Sequence, residues 1–161
     1  MIRKASAADF DFVYNLYMHP LTNGWLTYDF MEAAAFDPIF NSLLNDEVLY
    51  IFEEAGLAKG MFKLIPLQHR NAHIVYLGGV AIHPDFGGKG LGSLMMQEII
   101  AQAKAMQKKR IELTTASENS TAIRLYEKMG FQKEGVLKNF CYMKHENRFL
   151  DEAVYALLLS V

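Results

Sequence analysis

The chain has 161 residues, enough to bury one real core and too few for two comfortable ones. Apolar residues make up 52% and charged residues 21%, the balance of a globular protein, and a net charge of −2 with no basic stripe leaves no electrostatic footprint for nucleic acid. No apolar run reaches the roughly 18–20 residues of a membrane span, and Met1-Ile2-Arg3-Lys4 leads into a polar segment rather than a signal sequence. The lone cysteine, Cys141, cannot close an internal disulfide. These features together give the expectation of a cytoplasmic protein with neither membrane nor nucleic-acid partners.

In chain order, Ile2 to Ala5 reads as a short strand. Ser6 caps a helix carrying Phe10, Val13, Leu16 and Tyr17, which ends near His19-Pro20. Leu21 to Asp29 is a loop that mixes polar and aromatic side chains, Trp25 and Tyr28 among them. A second helix is predicted from Asp29 to Leu44, with an interruption around Asp37-Pro38. Val48–Glu53 and Gly60–Ile65 form a hairpin that turns at Glu54-Ala55-Gly56. Ile74–Ile82 is apolar and β-branched, a buried strand, and Gly78-Gly79 inside it marks a bulge. Leu91, Met95, Ile99, Ala103 and Met106 recur at helical spacing. Arg110–Thr115 is the next strand. Asn119 or Ser120 then caps a helix that stops at Gly130, and Gln132–Leu137 and Ala153–Leu159 are the last strands. The order β-α-α-β-β-β-α-β-α-β-β is a mixed α/β domain over residues 1–161, with a central sheet and helices on both faces.

Between the buried strand and the long helix lies Gly87-Gly88-Lys89-Gly90-Leu91-Gly92-Ser93. Unpaired N–H groups of a first helical turn, the helix dipole and glycines that let the main chain approach a ligand together make an anion site. It is not a P-loop, which needs glycine at 83, where His83 stands, and Ser or Thr after Lys89, where Gly90 stands. Nor is it a dinucleotide fingerprint: Gly-x-Gly-x-x-Gly from Gly88 meets Ser93, and from Gly90 it meets Met95.

His83-Pro84-Asp85-Phe86-Gly87-Gly88-Lys89-Gly90-Leu91-Gly92 resembles the pyrophosphate loop of the GNAT N-acetyltransferases, Arg/Gln-x-x-Gly-x-Gly/Ala, with Gly87 in the Arg/Gln position. Asn119-Ser120-Thr121-Ala122-Ile123-Arg124-Leu125-Tyr126-Glu127-Lys128-Met129-Gly130-Phe131 resembles the second signature of the same family. The resemblance implies the GNAT fold, in which the fourth and fifth strands splay into a V, and acetyl-CoA as cofactor. It implies main-chain contacts to the pantetheine arm at Val80 and Ile82. The pyrophosphate would rest on Gly87, Gly88, Lys89, Gly90, Leu91, Gly92 and Ser93, with Asn119 and Tyr126 completing the coenzyme site. It makes Tyr126 the general acid facing the coenzyme sulfur and places an oxyanion donor among the N–H groups of Leu77 to Val80. No carboxylate stands between Ile74 and Ile82, so the general base stays open among His73, His83, Glu53 and water. Trp25, Tyr28 and Leu77 line the acceptor side, with Phe140, Tyr142 and Phe149 near the end of the chain. No metal is expected.

Glu134-Gly135-x-x-Lys138, an aromatic stretch and Asp151-Glu152-Ala153-Val154-Tyr155 resemble the small-amine and amino-acid branch of that family. The expected function is therefore transfer of an acetyl group to the primary amine of a small molecule, an amino acid ahead of a polyamine or a protein N-terminus. A module that binds coenzyme A without catalysis is the rival of another class, and the family resemblance brings with it the homodimer as a possible assembly.

Overall fold

The computed structural model describes residues 1–160. Its strands are β1 (Ile2–Lys4), β2 (Leu49–Glu54), β3 (Leu57–Pro66), β4 (Ile74–Ile82), β5 (Arg110–Ala116), β6 (Gln132–Met143) and β7 (Arg148–Leu158). Its α-helices are α1 (Phe10–Tyr17), α2 (Ala33–Asn45), α3 (Leu91–Ala105) and α4 (Ser120–Lys128). The strands join in the order β1-β2-β3-β4-β5-β7-β6 as one mixed sheet with helices on both faces, the expected α/β class. Two compact units divide the chain, one of residues 1–64 and 79–95, the other of residues 65–78 and those from 96 onward.

In the first unit β1 pairs antiparallel with β2 and β2 with β3, and the turn between β2 and β3 is Ala55-Gly56, both left-handed (φ 53° and 74°). That turn matches the twist of the flanking strands. Val13, Leu16 and Tyr17 fall on one face of α1 by their spacing and are fully buried against Phe36 and Phe40 of α2, Leu49 and Ile51 of β2, Met61 of β3 and Ala81 of β4. Rings dominate the contact: Phe10 meets Phe40 edge-on at 5.3 Å, and Tyr17 lies 5.6 Å from Phe36. The second helix departs from expectation at both points. It starts at Ala33, not Asp29, and it runs unbroken through Pro38. An interior proline forfeits one helical hydrogen bond. Burial of Phe36 and Phe40, on either side of it in sequence, holds the helix across that loss.

Ser6 and Asp9 close the entry to α1 reciprocally, as a capping box. Asp9, buried, also accepts two bonds from the Arg3 guanidinium, both at 2.8 Å, which hold its carboxyl below the usual range against the opposing cost of burial.

In the second unit β4 and β5 are parallel through Ile74↔Arg110, Val75↔Ile111 and Tyr76↔Glu112. The rest of β5, Leu113 to Ala116, continues on the antiparallel ladder with β7 alone. Ile111, Leu113 and Thr115 point inward by strict alternation. Asn119 caps α4 by accepting the N–H of Ala122 (3.3 Å), and Gly130 ends it at φ +93°. The last two strands are longer than expected: β6 runs on to Met143 and β7 begins at Arg148. Register pairs Cys141↔Leu150, Tyr142↔Phe149 and Met143↔Arg148 form this extension, braced by the Tyr142–Phe149 ring contact at 5.0 Å. Among the described residues, no helix is long and apolar enough to cross a membrane.

Replacing Asp9 by alanine should cost about 1–2 kcal/mol, because Arg3 is partly exposed and its share is screened. The carboxyl is depressed in the folded state, so its contribution is present above pH ~4. It fades as pH falls through the lower native value. Urea midpoints of wild type and Asp9→Ala should therefore converge in acid.

Candidate active site

The glycine loop belongs to the first unit. Its entry is fixed by a single 3-10 turn, Pro84–Phe86, in which His83 Nδ1 accepts from the Asp85 N–H at 3.3 Å. The His83 N–H itself donates to the Lys59 carbonyl (2.8 Å), which anchors the loop to β3. Gly88 and Gly90 lie in the left-handed region (φ +73° and +75°), and nothing stands within 4 Å of the place their Cβ atoms would take. Conformation rather than space requires glycine there. Gly87 differs: its φ of −63° suits any residue, and an added Cβ would sit 3.3 Å from the Pro84 carbonyl oxygen. Glycine in the Arg/Gln position thus leaves the path of the main chain unchanged. Lys89 is exposed, Leu91 is buried, and Gly92 and Ser93 are half-buried in the first turn of α3. The Leu94 N–H returns to the Gly90 carbonyl at 3.3 Å, so the amides ahead of it open the helix without intrahelical acceptors. A diphosphate fits such a head: donors, dipole and Cβ-free approach all coincide.

The same unit holds a cluster that sequence reading missed except for Tyr28. Gly79 of β4 is left-handed (φ +58°), and a Cβ on it would come within 2.7 Å of the Tyr17 hydroxyl and 3.2 Å of Lys63 Cε. Tyr17 Oη is sealed from solvent and has no hydrogen-bond partner among the described residues. Burial raises the pKa of Tyr17, with Tyr28 adding to the rise. Tyr28 packs on it with rings 4.9 Å apart, and its own pKa is raised by burial. Lys63 is 7% exposed, its pKa lowered by burial, and its Nζ lies over the Tyr28 ring at 5.4 Å. Buried Asn23 ties the cluster together, donating to the carbonyls of both Tyr17 and Tyr28 at 2.9 Å. Trp25, two residues on, is 49% exposed and takes no part in it. Val80 and Ile82 lie beyond Gly79 on β4, both half-buried.

In the second unit Tyr126 is 6% exposed on α4, its ring 5.8 Å from Phe131. Burial above all raises its pKa, and Tyr76 and Glu152 raise it further. The phenol is therefore protonated throughout the physiological range. Tyr76 is held in place by Thr114, oxygen to oxygen at 3.1 Å. Glu152, known from the sequence only as part of the tail pattern, is a carboxylate whose charge acts on Tyr126. It is buried on β7, its pKa raised by burial, and it accepts a bond from Cys141 Sγ at 3.4 Å. Cys141, raised to about 11 by burial and by that carboxylate, is no nucleophile at neutral pH. Sequence reading placed Glu152 only in the tail pattern, because it lies in sequence far from both signature motifs, at a β7 position paired with Ala116 and Leu137.

Of the side chains weighed as general base, Glu53 binds Arg3 at 2.7 Å, His83 Nδ1 accepts the Asp85 N–H in its own turn, and exposed His73 directly precedes β4. The Leu77 side chain is 1% exposed and belongs to the core, so only its main chain can face a ligand. Asn119 spends its oxygen on the cap of α4. In the second unit Phe140 and Phe149 are exposed, and Tyr142 donates to Asn147 at 2.7 Å.

Gly79→Ala should lower stability by roughly 1–3 kcal/mol, since a left-handed residue gains a Cβ against an oxygen. Thermal unfolding checks it. Glu152→Gln should be more stable than wild type at pH 7–8: a raised carboxyl loses stability as pH rises through its native value. The difference should vanish below the unfolded pKa, about 4.3.

The family model for the acetyltransferase (GNAT) family matches residues 10–131. An N-alpha-acetyltransferase of Sulfurisphaera tokodaii is 28% identical over 159 residues, covering 92% of this chain and 89% of that protein. An uncharacterised N-acetyltransferase of Methanocaldococcus jannaschii is 33% identical over 64 residues, 40% of this chain, and the match spans only 28% of that protein's length. Among solved structures, spermidine N-acetyltransferase from Vibrio cholerae, in complex with CoA and spermine, superposes with a TM-score of 0.86 at 21% identity, covering 98% of this chain and 94% of that one. The chain belongs to the GNAT acetyltransferase family, acyltransferases that take their acetyl group from acetyl-CoA.

Proposed function

We propose that this protein is a single-domain N-acetyltransferase that acetylates the primary amine of a small acceptor, an amino acid ahead of a polyamine. The observation that carries the reading is Tyr126: a buried phenol, protonated at neutral pH, on the helix of the second signature. Acetyl-CoA supplies an acetyl thioester. We assign its diphosphate to the amides of Gly87 to Ser93 and its pantetheine arm to the main chain of Val80 and Ile82, with Asn119 and Tyr126 completing the coenzyme site.

Tyr126, protonated at neutral pH, gives its proton to the departing thiolate. The main-chain N–H groups of Leu77 to Val80 polarise the acetyl carbonyl. The general base stays open among His73, His83, Glu53 and water; on our reading the ammonium of the acceptor loses its proton to water. Trp25 and Tyr28 face the acceptor from the first loop. The amino-acid preference draws on the pattern of the tail, where Lys138 and Asp151 pair at 2.9 Å across β6 and β7.

Release of free thiol from acetyl-CoA, followed across amino acids, polyamines and short peptides, tests the reading. Tyr126→Phe should lower kcat at least about 100-fold while the dissociation constant for CoA stays put. Unchanged kcat in that variant removes the phenol from the mechanism. Absence of turnover by wild type on every amine makes the protein a coenzyme-binding module.

A further inference from the structure

Lys63 is a charged side chain that the fold buries without an opposite charge. Among the described residues it makes no hydrogen bond and no ion pair; its one partner is the face of Tyr28, 5.4 Å from Nζ. A lysine so desolvated is costly unless an anion arrives to meet it. The stem runs alongside Gly79, where an added Cβ would lie 3.2 Å from Cε and 3.7 Å from Cγ, so a residue of any size at that position would compete with it for space. Beside it stands the second unsatisfied group, the hydroxyl of Tyr17, sealed and without a partner. The Lys63 nitrogen is not sealed in the same way; Tyr17 Oη alone is a fully buried, unpaired side-chain nitrogen or oxygen among the described residues. An ammonium within reach of solvent, an idle phenol beside it and an aromatic wall make a seat for one small anion.

We propose that Lys63 is the seat of the acceptor's carboxylate, so that this protein acetylates amines that carry a carboxylate and discriminates against polyamines. The inference rests on the N-acetyltransferase reading and narrows its acceptor. Lys63 Nζ pairs with one carboxylate oxygen, Tyr28 walls the acceptor, and Asn23 acts as a positioning residue by fixing the main chain of both tyrosines. A polyamine would instead bring a second ammonium against Lys63, and like charges in a desolvated site repel. The lowered pKa of Lys63 fits a cation kept waiting for its partner.

The test pairs each amino acid with the amine left when its α-carboxylate is removed, adds spermidine, and reads two signals: thiol release from acetyl-CoA and binding heat in the presence of CoA. In wild type the preferred amino acid should exceed its decarboxylated amine in kcat/KM by roughly 10- to 100-fold. In Lys63→Met that ratio should fall to near one, and the binding heat for the amino acid should disappear. Lys63→Arg should retain a preference. Lys63→Met should also melt no lower than wild type without ligand, because an apolar side chain replaces a desolvated charge. A carboxylate preference that survives Lys63→Met overturns the assignment, as does a clear drop in melting temperature, which would mark the ammonium as structural. Acetylation of spermidine with no amino-acid binding sinks the seat and leaves the transferase standing. Lysine-dependent amino-acid binding without thiol release does the reverse.

Discussion

The amides at the head of α3 must find acceptors, and the helix does not supply them. Its first bond runs from Leu94 back to Gly90, so the residues ahead of that pair bring donors that a fifteen-residue helix leaves open. Left-handed Gly88 and Gly90 shape the approach. The 3-10 turn after β4, with its bond from His83 to Lys59, fixes where the loop begins. An anion of the size of a diphosphate satisfies those donors, and the dipole of α3 adds to the attraction. Membership of the GNAT acetyltransferase family brings acetyl-CoA as co-substrate, and its diphosphate is the anion proposed for that head.

Each unit keeps polar groups in a state that stability alone would not select. Tyr126 is buried, and a carboxylate facing it disfavours loss of its proton. Among the described residues Tyr17 holds a hydroxyl with no partner, and Lys63 a cation with no anion. Buried groups of this kind destabilise a fold and persist where a ligand uses them. The burial that lowers the Lys63 pKa raises those of Tyr126 and Glu152, because desolvation always works against the charged form.

The sequence made the order of elements legible because each signal was local. Period-3.6 residues on α1 and α3, the apolar run of β4 and the Asn119 cap each follow from a few neighbouring side chains. Where the outcome depended on partners far along the chain, the reading fell short. Pro38 looked like a break, yet the burial of Phe36 and Phe40 overrides it. The far ends of β6 and β7 carry no alternating apolar pattern; cross-strand pairs such as Cys141↔Leu150 make them strands. Both glycine-rich and helical motifs of the site were visible as strings. Lys63 and Asn23 were not, and Tyr17 and Glu152 were visible only as a helix-face residue and part of the tail pattern, since an isolated polar side chain has no further signature until folding buries it.

A crystal structure of the protein with CoA tests the central claim most directly. The account predicts diphosphate oxygens within hydrogen-bond distance of main-chain amides between Gly88 and Ser93, with the sulfur within reach of the Tyr126 hydroxyl. A diphosphate lodged elsewhere, or a Tyr126 hydroxyl turned into packed hydrocarbon, would contradict it.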